Sequence, residues 1–192
     1  MRFSAPRIAV LLLLLQPPAD AVRDALNLGQ THDDRLFAAF NRGYALTPSG
    51  TIDSAEIITE FRREVLIVRE HAAQGDYVFD AQDLAAAMAP YKGLVTVIVE
   101  ARLNPLNTFV KPPPYDLYVS TGPSTGPVAA KSIKRDPVYP VGAGPGSSVI
   151  GVRVEASFPR AGIAAAVAPV LILTDERAGI LWQTRLDLSR YR

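Results

Sequence analysis

Residues 93–103 read Gly-Leu-Val-Thr-Val-Ile-Val-Glu-Ala-Arg-Leu, the longest run of β-formers in the chain. Side chains alternate along a strand, so Val95, Val97, Val99, Ala101 and Leu103 share one face. The opposite face carries Leu94, Thr96 and Ile98 and then turns polar at Glu100 and Arg102. A strand apolar on both sides in its first half and on one side in its second belongs inside a sheet, with its early part covered on both faces.

Before this run the pattern is predominantly helical. Residues 22–30 mix polar and apolar positions with no clear period. Thr31 is an N-cap candidate, with His32, Asp33 and Asp34 in the first turn, and Leu36, Phe37 and Phe40 form an apolar side before Gly43. A longer helix is predicted over 53–75. Asp53 and Glu56 have capping-box spacing, Ile52 and Ile57 are placed as a hydrophobic staple, and Ile57, Ile58, Phe61, Val65, Val68 and Ala72 fall on one face. That helix is expected to cover the early half of the 94–103 strand. Asp80 and Asp83 open a short alanine-rich helix through about Met88, stopped by Pro90.

After the run the pattern changes to strands. Prolines at 105, 112, 113 and 114 mark 104–114 as an extended crossing between sheets, because proline has no N–H for a ladder. Residues 115–120 alternate with Tyr115, Leu117 and Val119 inward. A weaker strand follows over 128–135, then a loop over 137–148. A strong strand over 149–158 has Ile150, Val152, Val154, Ala156 and Phe158 on one face and Arg153 and Glu155 on the other. Residues 164–174 and 179–188 read as a hairpin turning at Asp175, Glu176, Arg177 and Ala178, with Trp182 on the apolar side. The expected fold is α+β: an N-terminal helical layer (31–90) packed on an antiparallel β-sandwich of about six strands (93–188), forming one domain over 22–192.

Composition adds an address. Arg2 and Arg7, the apolar stretch 8–15, Pro17 and Pro18, and then Ala19-Asp20-Ala21 have the layout of a cleaved secretory leader over 1–21. The apolar stretch falls well short of the roughly 20 residues a bilayer span requires. Losing Arg2, Arg7 and Asp20 takes the formal charge from +1 to zero. A balanced chain offers no electrostatic basis for binding nucleic acid or an anionic membrane. The chain has no cysteine, which excludes disulfides, thiol catalysis and thiolate metal sites. An exported protein of a bacterial envelope, periplasmic or extracellular, is the expectation, with no membrane span once the leader is gone.

Candidate chemistry is sparse. His71 follows Glu64 by two helical turns, and His32 adjoins Asp33 and Asp34. Either pairing would suit a hydrolase that sets a histidine beside a carboxylate. The same residues also read as a solvated helix face and as the first turn of a capped helix. Neither histidine has H-E-x-x-H spacing, and no metal or cofactor is expected. The glycine-rich stretch 142–148 lacks a phosphate-loop lysine and precedes a strand rather than a helix. Pro112-Pro113-Pro114-Tyr115 matches the P-P-x-Y peptide that WW domains read, but an exported chain would not meet a cytosolic WW domain and a crossing between sheets accounts for the stretch far better. Tyr118 beside Asp116, together with Tyr139, would suit a sugar-stacking surface. These signals lead to a non-enzymatic binding or assembly module with an envelope protein partner, ahead of a hydrolase and of a carbohydrate-binding sandwich.

Overall fold

A computed structural model describes residues 19–108, 111–122, 126–143 and 146–192. The helices are α1 (Ala19–Gly29), α2 (Asp34–Arg42), α3 (Glu60–Ala73), α4 (Ala81–Met88) and α5 (Arg160–Ala164). The strands are β1 (Ile52–Ile58), β2 (Leu94–Arg102), β3 (Asp116–Ser120), β4 (Ser132–Val138), β5 (Gly151–Pro159), β6 (Val170–Thr174) and β7 (Ile180–Arg185). They form two antiparallel sheets, ordered β1-β2-β5-β4 and β3-β6-β7. The α+β class and the N-terminal helical layer are as the pattern predicts.

The valine run is β2, near the middle of the larger sheet. Val97 faces Ala156 and Val99 faces Val154 across the ladder. Val95, Val97, Val99, Val152, Val154, Ala156 and Phe158 share a core with Leu117, Val119, Leu171, Leu173 and Trp182 of the smaller sheet. The 104–114 segment joins one sheet to the other, as its prolines predict. On the outer face of β2 and β5, Thr96 and Ser157 are buried and hydrogen-bonded at 2.9 Å. Further along, polarity returns as Arg153 pairs with Glu100 at 2.7 Å.

Three expectations are corrected. The helix predicted over 53–75 is a strand followed by a shorter helix. Ile52, Ala55 and Ile57 of β1 join the core between the sheets, and an irregularity between Ile52 and Ser54 keeps them on one side. Thr59 is the true N-cap of α3, accepting from the Arg62 N–H. The Asp53 carboxylate pairs instead with Arg102 on the neighbouring strand. Tertiary pairing with a strand some forty residues away overrode a local signal that fitted helix as well.

The second correction concerns what α3 covers. Its buried aliphatic residues Val65 and Val68 do not rest on the valine face of β2, which belongs to the core between the sheets. Val68 forms a separate cluster with Phe79, Leu84 and Met88, ringed by Val22, Leu26, Ile67 and Tyr91 from the neighbouring helical elements. Two hydrogen bonds tie α3 to β2 and the glycine before it: Arg63 donates to Thr96 Oγ1 at 3.0 Å, and Glu60 accepts from the Gly93 N–H at 2.8 Å.

Third, the 22–30 stretch is helix. Ala21, Ala25 and Gly29 recur every fourth residue and are all buried. At Gly29 a Cβ would fall 2.5 Å from the Val68 Cβ, so only glycine permits this approach of α1 to α3. The Ala19-Asp20-Ala21 stretch expected to be cleaved lies at the start of this helix, and the rest of the expected leader lies outside the described residues.

Smaller differences are local. The cap of α2 is Asp33 rather than Thr31, accepting from the Arg35 and Leu36 N–H groups. The strand expected over 128–135 is β4, displaced toward its C-terminal side, while Val128 makes an isolated bridge to Val119. Ile150, placed inward by alternation, lies before β5 and is exposed. The helix opened by Asp80 and Asp83 forms as expected, and their side chains make a capping box on α4. Among the described residues no helix is long and apolar enough to cross a membrane.

Candidate functional site

The residues singled out in the sequence do not assemble into one cleft. The Nδ1 of His71 lies 2.9 Å from Asp76 Oδ2, five residues on, and its ring stacks on Phe79 with centroids 3.9 Å apart. Its anticipated partner Glu64 takes no part in this pair. Glu64 is buried rather than on a solvated face, and its pKa is raised, first by burial and then by the neighbouring Glu60, with Arg192 opposing. His32 tilts against Tyr77, while Asp34 pairs with Arg69 at 2.8 Å. Each histidine is thus held by a local contact that serves the helical layer. Among the described residues no group of three or more His, Cys, Asp or Glu converges as a metal site would need.

Tyr118 is half-buried on the outer face of the smaller sheet, opposite Ile172. Asp116 lies 3.6 Å from Arg135, and Tyr139 is exposed just beyond β4. Among the described residues neither tyrosine ring pairs with another aromatic ring. The Pro112–Tyr115 stretch packs beside the hairpin turn at Asp175, Glu176 and Arg177, enclosing about 400 Å³. Tyr115 is partly buried there, and burial raises its pKa, with Asp175 adding to the shift. A segment held in this way does not present the free polyproline ligand that a WW domain requires.

The densest polar cluster is structural. Arg62 is 4% exposed and directs its guanidinium at the Ile57 carbonyl (2.7 Å), at Asn41 Oδ1 and at Glu56, while lying over the Tyr44 ring. Four of its five N–H donors are engaged within the protein, so the group is committed to the fold rather than to a ligand.

The arrangement that remains open lies where the β6–β7 hairpin meets α5. A groove of about 590 Å³ runs between α5, the loop that follows it, and the segment after β7. Ile163, Pro169 and Leu186 are buried along it, and Val167 stands fully exposed at its rim. Arg160 and Arg185 line it and are exposed, and neither side chain has an ion-pair or hydrogen-bond partner among the described residues. The carboxylate within it, Asp187, is occupied by the Ser189 hydroxyl at 2.6 Å and the Ser189 N–H at 3.0 Å. These bonds, the hydroxyl's first, lower its pKa. The groove therefore combines an apolar floor with two uncommitted planar donors. A guanidinium of this kind can take a carboxylate with two parallel hydrogen bonds.

Neither Arg185 nor Arg160 stands out in the sequence. The two are 25 positions apart, and no spacing rule joins a residue at a strand's end to one on the far side of a hairpin. No protein-family model, no curated protein and no solved structure matches this chain.

Proposed function

We propose that the protein is a non-enzymatic binding module of a bacterial envelope, and that its ligand carries carboxylates and seats in the groove lined by Arg160 and Arg185. The observation that carries this reading is a groove with buried apolar residues along it, lined by two arginines whose guanidiniums are unpartnered among the described residues. A carboxylate held there gains charge-assisted bonds, and aliphatic parts of the same ligand cover Ile163 and Leu186. The hydrolase reading needs a histidine beside Glu64 or Asp34, and each of those carboxylates faces other groups. The sugar-binding reading needs an aromatic platform, which Tyr118 and Tyr139 do not form together.

Export is part of the same proposal. It rests on Arg2, Arg7, the apolar 8–15 stretch and the small residues at 19–21, and the mass of the protein recovered from an envelope fraction tests it. A mass matching the whole 192-residue chain would contradict cleavage.

The groove is tested with fluorescently labelled hexaglutamate as probe, followed by polarisation. Binding is expected at low salt, weakening as salt screens exposed charges. The Arg160→Ala, Arg185→Ala double variant is expected to lose about fivefold or more in affinity, since exposed ion pairs contribute modestly. Equal binding by the variant and the parent, or none by the parent, overturns the assignment.

A further inference from the structure

A two-sheet fold leaves four strand edges, and an exposed edge is a row of unpaired N–H and C=O groups that other chains can join. Three of the four are blunted. The edge of β1 is covered by the Tyr44–Leu46 stretch, through Leu46 N–H to the Ala55 carbonyl (2.8 Å) and Ile57 N–H to the Tyr44 carbonyl (3.0 Å). The edge of β3 is taken by Val128, which exchanges two bonds with Val119. The edge of β4 contains Pro137, which has no N–H, and carries Lys134, Arg135 and Asp136 in sequence.

The fourth edge, β7, is bare among the described residues. Leu186 N–H donates to the Pro169 carbonyl at 2.9 Å, and Leu171 faces Thr184 while Leu173 faces Trp182. Antiparallel ladders alternate, so Trp182, Thr184 and Leu186 bond toward β6, whereas Gln183 and Arg185 turn their backbone groups away from it. Among the described residues no group outside β6 is hydrogen-bonded to the backbone of Gln183 or Arg185. The side chains of both are exposed on the outer face, and Arg185 also lines the groove.

We propose that β7 receives an extended acidic peptide as an added strand. Its backbone pairs with Gln183 and Arg185, and its alternate carboxylates lie beside Arg185 and reach toward Arg160. The inference rests on the groove being the ligand site and names the ligand's class. Main-chain bonds supply affinity that does not depend on sequence, and the arginines select acidic side chains. The residues facing inward meet the rim of the core at Trp182 and Leu186, which favours small apolar side chains there.

The test uses a labelled ten-residue peptide alternating Glu and Val. Two further versions are methylated on alternate backbone nitrogens, one version for each edge of the strand. Trp182, the single tryptophan, reports from β7 itself. The unmodified peptide is expected to bind saturably, and its Lys-Val counterpart is not. One methylated version is expected to lose about tenfold or more, because methylation removes N–H donors on the edge that faces β7. Gln183→Pro is expected to weaken the unmodified peptide similarly while leaving the β6 ladder intact, since that N–H points away from it.

If both methylated versions and Gln183→Pro bind like the parent, the added strand is refuted, while hexaglutamate binding that is lost with Arg160 and Arg185 keeps the groove. If hexaglutamate also fails to bind, the groove falls too. A chain that elutes as a dimer and becomes monomeric on Gln183→Pro assigns the edge to a second copy and overturns the peptide reading.

Discussion

Arg62 shows what a buried charge does in this protein. Its guanidinium joins β1, through the Ile57 carbonyl and Glu56, to α2 through Asn41. Arg62→Ala strands the half-buried Glu56 and two uncharged acceptors, and a loss of about 1–3 kcal/mol is expected in urea unfolding because acceptors left without their donor keep the cost of desolvation. Glu64 behaves oppositely. Its folded pKa is raised by burial and by Glu60, so the folded state binds its proton more tightly than the unfolded chain does. Stability then falls as pH rises from the ordinary carboxylate range through the raised value. Glu64→Gln lacks this slope, and its urea midpoint is expected to gain on the parent as pH rises across that window. At the hairpin turn Ala178 has φ of +61°, with Asp175 accepting from the Arg177 and Gly179 N–H groups. A left-handed alanine costs about 1 kcal/mol relative to glycine, so Ala178→Gly is expected to raise the thermal midpoint.

At the scale of elements, the contact between α1 and α3 is the most exacting. Ala21, Ala25 and Gly29 let the two helices approach, and Gly29→Ala is expected to cost about 1–3 kcal/mol in denaturant unfolding, as overpacking does. That contact was not legible in the sequence, because a stripe of alanine and glycine carries no hydrophobic period. Its first residue had also been claimed by the expected leader.

β1 was hidden differently. Ile52, Ile57 and Ile58 with Asp53 and Glu56 fit a capped helix as well as a strand, and the deciding partner, β2, lies far along the chain. By contrast β2, β3, β5 and the β6–β7 hairpin were legible. β3 and β5 alternate apolar and polar residues, which has no helical counterpart, while β2 and β6 are short apolar runs of β-formers bounded by turn signals. The α4 helix was legible because Asp80 and Asp83 form a capping box entirely within their own segment. The groove was not, since Arg160 and Arg185 come to line one groove only after the sheets form.

On the scale of the whole molecule, two cores divide the work. One lies between the sheets and includes Phe158, Leu117 and Leu171; the other lies among the helices around Val68 and Leu84. Phe158, 0% exposed, is the largest fully buried side chain of the first. Phe158→Ala is expected to cost about 3–5 kcal/mol in denaturant unfolding.

Among the described residues β7 is the strand edge left uncovered, and the proposed ligand groove lies beside it. Amide hydrogen exchange read residue by residue in the free protein tests that opening most directly. Gln183 and Arg185 are predicted to exchange far faster than Trp182, Thr184 and Leu186, and to become protected when the Glu-Val peptide is added. Equal protection of all five amides in the free protein would mean that the β7 edge is already occupied, which contradicts the account.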